Sequence, residues 1–222
     1  DNRPDVGSQF HVLVIGAGVS GICAAIKLDA LGIPWTLIEK NSAVGGTWYE
    51  NTYPDAGVDT PNHFYSYSFE PNCSWSGYFS KSAEVQAYVH DVAARHRIHE
   101  RIQFNTEVQS LDRDEAARHW RVGTRTSDGQ QRPLMVRAVI TAVGQLNRPK
   151  IPVLPGVETF QGESFHSARW RHDVNLAGKR VAVIGTGASA MQFLPTVAAE
   201  AAHVSIYQRS PQWVKPANDY HR

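Results

Sequence analysis

The sequence runs to 222 residues, 42% hydrophobic and 19% charged, which places it among ordinary globular chains. Its 22 basic and 21 acidic residues leave a net charge of +1 with no long run of either sign, which gives little support to a dedicated nucleic-acid or membrane surface. The two cysteines, Cys23 and Cys73, give neither a disulfide framework nor metal-ligand spacing and read as structural thiols in a reducing, cytoplasmic setting.

Residues 1–9 read as an N-terminal tail. The chain begins at Asp1 without an initiator Met, so its start is expected to be a trimmed one. "FHVLVIG" (10–16) is a short run rich in β-branched residues that stops at glycine, the mark of a buried parallel strand. Its apolar continuation to Ile26 is broken by Gly16, Gly18 and Gly21 and is too short to cross a bilayer. A helix is expected from Val19 to Leu31 and a second strand over "IPWTLIE" (33–39), making 10–39 one βαβ unit.

From Lys40 to Phe79 the chain is dense in Gly, Pro, Asn, Ser and aromatics, the composition of an ordered functional loop. Val85, Tyr88, Val89 and Val92 then recur at helical spacing, with Ser82 placed to cap. Segments 118–126 and 132–141 read as strands joined by a turn at "SDGQ" (127–130). "RPKIPVLPG" (148–156) is a proline-stiffened connection that marks a domain boundary. Beyond it the opening pattern returns as "KRVAVIG" (179–185), a helix over 188–200 and "HVSIYQ" (203–208).

The expected fold is therefore α/β, with two Rossmann-like dinucleotide-binding domains and an antiparallel β insertion in the first. Residues 10–147 form the first domain, 148–179 a linker, and 180–222 the start of the second. A dinucleotide-binding half needs three parallel strands and the second unit supplies two, so the chain is expected to be the N-terminal piece of a longer protein.

The two glycine loops carry the first functional inference. In "GAGVSG" (16–21), Gly16 permits a tight turn, Gly18 lets the backbone approach a pyrophosphate, and Gly21 brings helix and strand together; the helix N-terminus offers N–H groups to the phosphates. Glu39, ending the next strand, can accept hydrogen bonds from the ribose hydroxyls of an adenosine. In "GTGASA" (185–190), Gly185, Thr186, Gly187, Ala188 and Ser189 form the matching cradle, with Ala190 in the third glycine's place. Arg209, read as the position matching Glu39, would grip a 2′-phosphate that a carboxylate would repel. One site for an unphosphorylated adenosine and one for NADPH point to FAD as resident cofactor and to hydride transfer between them.

Between the loops, "FQGESFHSARW" (160–170) resembles the signature of the Baeyer–Villiger monooxygenases, F-x-G-x-x-x-H-x-x-x-W followed by Pro or Asp. Phe160, Gly162, His166 and Trp170 match, whereas Arg171 does not, and a basic residue there is similar to flavin monooxygenases that oxygenate nitrogen and sulfur. The likeness extends over "VGGTWYENTYPDAGVDTPNHFYSYSF" (44–69), "GQLNRPKIP" (144–152) and "QRSPQWVKP" (208–216), and is nearest the 4-hydroxyacetophenone monooxygenase branch. It implies an enzyme in which NADPH reduces FAD and a peroxyflavin converts a ketone to an ester or lactone. Ketone, dioxygen, the remainder of the same enzyme and a second copy in a homodimer are the partners it implies.

Residue by residue, the resemblance makes Asp59 the acidic partner of an active-site arginine lying beyond Arg222, and makes His166 a hinge that couples NADPH docking to the flavin pocket. It places Lys40, Gly46, Thr47, Trp48, Tyr65, Val108 and Gln145 around the flavin nucleotide, and Ser210 beside Arg209. Asp55 stands where the family has glycine, which bears on the loop that carries Asp59. A sulfide or amine oxygenase and a fragment that only binds FAD remain open. A disulfide or quinone reductase lacks its Cys-x-x-Cys pair.

Overall fold

The computed structural model describes residues 10–214, so the tail at 1–9 and the last residues of the 180–222 segment lie outside the described residues. The chain forms two compact units, one of residues 1–49 and 86–147, the other of residues 50–85 and 148–222. The segment 50–85, which the sequence reading takes with the first nucleotide domain, thus belongs to the second unit.

In the first unit β1 (Val12–Ile15), α1 (Val19–Ala30) and β2 (Trp35–Ile38) make the expected βαβ unit. With β3 (Ile102–Gln103) and β7 (Ala138–Thr141) these strands form a parallel sheet in the order β3-β2-β1-β7. Leu13, Val14, Leu37 and Ile38 are buried, as strands covered on both faces require. Helix α1 ends at Gly32, whose φ of +66° admits the left-handed turn while the Gly32 and Ile33 N–H groups donate back to the carbonyls of Asp29 and Leu28. The Arg101 guanidinium lies 4.0 Å over the Trp35 ring, and Asp29 accepts from both side chains, so the C-terminal end of α1 is pinned to β2.

The antiparallel insertion is present as β4 (Thr106–Asp114), β5 (His119–Thr126) and β6 (Leu134–Val136). The turn after β5 closes with the Thr126 N–H on the Gln130 carbonyl, at the position the sequence indicates. Two features depart from the reading. Strand β4 is additional, and the single strand expected over 132–141 is two, because the chain leaves the antiparallel sheet after Val136 and enters the parallel one at Ala138. Val108, Leu111, Val122, Val136 and Leu134 pack this insertion onto Leu13 and Ile38.

In the second unit β8 (Arg180–Ile184), α4 (Ala188–Glu200) and β9 (His203–Tyr207) repeat the parallel βαβ pattern. Its core joins Val183, Ala190, Phe193 and Val197 to Tyr53 and Ala56, with Trp170 and Leu176 against them. Helix α3 (Ser82–Arg95), of which residues 86–95 belong to the first unit, buries Val85, Tyr88, Val89 and Val92, the spacing that announced it. Ser82 stands inside that helix as its first residue rather than before it, and its hydroxyl donates to the Asn51 carbonyl at 3.2 Å. No helix among the described residues is long and apolar enough to cross a membrane.

Candidate functional site

Both glycine loops turn from strand to helix in the same way. Gly16 has φ +100° and donates to the Ile38 carbonyl at 2.8 Å; Gly185 has φ +103° and donates to the Tyr207 carbonyl at 2.9 Å. Gly18 and Gly187 then precede α1 and α4 in extended conformation, neither caps its helix with a side chain, and neither first turn contains an acid. The positive ends of the two helix dipoles are left for an anion.

The loops differ in how tightly helix approaches strand. A Cβ on Gly21 would stand 1.8 Å from the Gly16 carbonyl oxygen, so the first loop admits only glycine there. The second loop carries Ala190 at the equivalent place, buried in its core, and is correspondingly more open. Beside the first loop, Gly46 faces Gly18 with bare backbone: a Cβ on Gly46 would come within 2.9 Å of the Gly18 Cα. The Gly45 N–H donates to the Ala17 carbonyl at 3.1 Å and holds the two strips together. A cradle of this kind, which a side chain would fill, fits a pyrophosphate.

Glu39 is 4% exposed and both of its carboxylate oxygens are engaged: Oε2 accepts from the Ala17 N–H at 2.7 Å and Oε1 from the Asn41 N–H at 2.9 Å. Each oxygen keeps a second lone pair with which to take a ribose hydroxyl. The strand register corrects the equivalence drawn from sequence. Ile15 pairs with Ile38 and Ile184 with Tyr207, so Gln208, not Arg209, matches Glu39, and Arg209 matches Lys40. Gln208 repeats the reach of Glu39: its Nε2 donates to the Thr186 hydroxyl at 2.9 Å, as Glu39 accepts from Ala17. The second strand end therefore has a neutral amide in place of the acid, followed by an exposed Arg209 and Ser210.

Of the other residues singled out in the first unit, Trp48 is buried in α2 (Thr47–Glu50), with Thr47 exposed beside it. Val108 lies on β4 against the core, and Lys40 and Gln145 are exposed. In the second unit Asp59 is exposed and Tyr65 half-buried. The stretch between and beyond them is held by Asn62, which is buried, accepts from the Ser80 N–H at 3.1 Å, and donates to the Ser80 hydroxyl at 2.7 Å and the Gly77 carbonyl at 2.8 Å. Asp55 adopts φ +62°, the left-handed region its glycine counterpart would enter without strain. Its carboxylate is anchored instead, by the Thr196 hydroxyl at 2.6 Å and Lys81 Nζ at 3.3 Å, and the Thr196 bond first and Lys81 with it hold that carboxyl below the usual range.

The signature segment is also legible in physical terms. The Phe160 ring folds back over Gly162, where a Cβ would fall 2.6 Å from its tip. His166 Nδ1 accepts from the Ala168 N–H at 3.1 Å and caps the short turn 167–169, and Trp170 meets Phe193 of α4 at 5.2 Å between ring centroids. Arg171 bonds Glu163 and Asp173, the latter at 2.6 Å, and with Asp173 as the main cause its guanidinium is held above its usual pKa. The basic departure from the signature is satisfied locally by these two acids. Sequence reasoning missed Gln192 and Thr196, polar residues on a helix whose neighbours Phe193 and Val197 are core.

A flavin-binding monooxygenase-like family model matches residues 9–218. A Baeyer–Villiger monooxygenase of Streptomyces coelicolor is 40% identical over 219 residues, covering 96% of this chain and 40% of its own. Among solved structures, OTEMO in complex with FAD and NADP superposes with a TM-score of 0.88 at 35% identity, over 97% of this chain and 42% of its own. An oxidised steroid monooxygenase bound to NADP gives 0.84 at 37% identity, over 96% and 41%. The chain thus spans about 40% of the length of the relatives it matches.

Proposed function

The chain belongs to the flavin-binding monooxygenase-like family, and from that membership we propose that it forms the FAD- and NADPH-binding part of a Baeyer–Villiger monooxygenase. The observation that carries the reading is the pair of matching glycine loops, one closed by the acid Glu39 and the other by the amide Gln208 followed by Arg209. Gly16, Gly18, Gly46 and the start of α1 would hold the FAD pyrophosphate, with Gly21 keeping helix and strand close and Glu39 taking the ribose. Lys40, Thr47, Trp48, Val108 and Gln145, with Tyr65, would surround the rest of that cofactor.

Gly185 to Ser189 would cradle the NADPH pyrophosphate while Arg209 and Ser210 take its 2′-phosphate. Asp59 would orient an arginine supplied elsewhere in the enzyme. His166 would act by positioning, since its ring caps the turn that delivers Trp170 to α4.

Bound flavin supplies hydride acceptance from the nicotinamide and activation of dioxygen. The residues of this chain bind and orient both nucleotides. The net reaction balances as ketone, dioxygen, NADPH and a proton giving ester or lactone, NADP+ and water. The names of the S. coelicolor relative and of the two NADP-bound neighbours support this reading.

Its test is to supply the intact enzyme with NADPH, an aryl ketone and 18O-labelled dioxygen. One labelled oxygen in an ester is expected, at one NADPH per ester. NADPH consumption that yields a labelled sulfoxide or N-oxide from added acceptors and no ester would assign the rival acceptor class, and hydrogen peroxide alone would overturn oxygenation. Arg209→Ala is expected to weaken NADPH relative to NADH by roughly 10- to 150-fold, the worth of one hydrogen bond to a charged group. Measured NADPH and NADH affinities that fall together would remove Arg209 from the phosphate site.

A further inference from the structure

Helix α4 begins at the second glycine loop and is fastened, over its next two turns, to residues 53–57. Gln192 Oε1 accepts from the Tyr53 hydroxyl at 2.9 Å and from the Gly57 N–H at 3.4 Å, while its Nε2 donates to the Gly57 carbonyl at 2.9 Å. One side-chain amide thereby engages both polar groups of Gly57, the pattern a neighbouring strand would make. One turn later Thr196 donates to Asp55, and between them Phe193 meets the Tyr53 ring edge-on at 6.0 Å.

The opposite side of the segment is equally occupied. Gly57 bridges Lys81, the Val58 N–H donates to the Ser80 carbonyl at 2.9 Å, and a Cβ on Gly57 would stand 2.7 Å from that same oxygen. Residues 55–58 are gripped from two sides and have little room to shift independently of α4. Asp59 follows immediately.

We propose that Gln192 is a positioning residue that transmits the seating of a nicotinamide dinucleotide at residues 185–189 to Asp59 through the Gly57 peptide. Gln192 lies five residues beyond Gly187, about 7.5 Å along the same helix, so one hydrogen-bonded element carries both the loop's end and the clasp. Its two-ended amide fixes the orientation of the Gly57 peptide as well as its distance. The inference rests on the reading of 185–189 as a nucleotide loop and adds to it a route by which that loop acts on the acid.

Hydrogen exchange on the intact holoenzyme, with and without NADP+, tests it. In the wild type, NADP+ is expected to slow exchange of the Gly57 and Val58 amides by about 5-fold or more, the lower end of ordinary site-to-site coupling. Gln192→Ala is expected to bind NADP+ still and to lose that slowing; Gln192→Glu, which keeps an acceptor for Tyr53 but loses the donor to Gly57, serves if the alanine variant does not fold. Thr196→Val should retain it, because the Gln192 amide remains. Wild-type enzyme that binds NADP+ without any change at Gly57, or a Gln192 variant that still transmits it, overturns the inference and leaves the nucleotide loop standing. Failure of NADP+ to bind at all overturns the loop reading and the inference with it.

Discussion

Gly21→Ala is expected to destabilise the first unit by more than about 3 kcal/mol, the upper end of ordinary overpacking. The new Cβ would lie 1.8 Å from the Gly16 carbonyl oxygen and 2.9 Å from its carbon, and both are backbone atoms that cannot swing aside. Relief would require α1 to lift, and its buried face of Ile22, Ala25, Ile26 and Leu28 would lift with it. For a chain of this size the loss corresponds to a fall in Tm of about 6 to 12 °C in the flavin-free protein. Gly18→Ala is the matched control: its Cβ would meet the Gly46 Cα at 3.5 Å and its N at 4.0 Å, ordinary contacts, in a backbone conformation any residue adopts. That variant should keep its Tm and lose flavin, because the methyl group occupies the bare approach between the two glycines. Thermal unfolding followed by circular dichroism, together with flavin content on purification, separates the two. Equal Tm values for Gly21→Ala and wild type would mean that helix and strand are not so closely set.

Glu39→Gln should cost about 1–3 kcal/mol even before any nucleotide is added. A glutamine offers one acceptor where the carboxylate offers two, so either the Ala17 or the Asn41 N–H would face an NH2 group in a site sealed from water. A variant with wild-type stability when flavin-free and no retained flavin would assign Glu39 to the ribose alone. A lowered flavin-free Tm, the expected result, makes it first a pin of the glycine loop and only then a ligand.

These two positions show how far the sequence could be read. The glycine spacing, the strand-ending acid and the return of both patterns after residue 179 located the βαβ units because a dinucleotide loop imposes local rules on consecutive residues. The partners of Glu39 and Gln208 are their own loops, 22 residues away in each case, and no periodicity signals such a bond. Strand β4 was hidden for a different reason. Its stretch "TEVQSLDRD" buries little, and an irregularity between Val108 and Ser110 breaks the alternation that would betray a strand. The division between β6 and β7 was invisible because "LMVRAVIT" is continuously strand-like; only Arg137 and Ala138, both donating to the His11 carbonyl, mark where the chain changes sheets. Gln192 and Thr196 lay furthest from view, being joined to Tyr53 across 139 residues and to Asp55 across 141.

The clasp between Tyr53 and Gln192 also has a consequence for biosynthesis. A ribosome adding about 5–20 residues per second delivers Gln192 roughly 7 to 28 s after Tyr53. Throughout that interval Tyr53 and Ala56 lack the helix that buries them, although the strands and helix of the first unit have already been made through residue 147. Burial of Tyr53 and Ala56 therefore waits on the synthesis of α4, long after residues 53–56 themselves have been made.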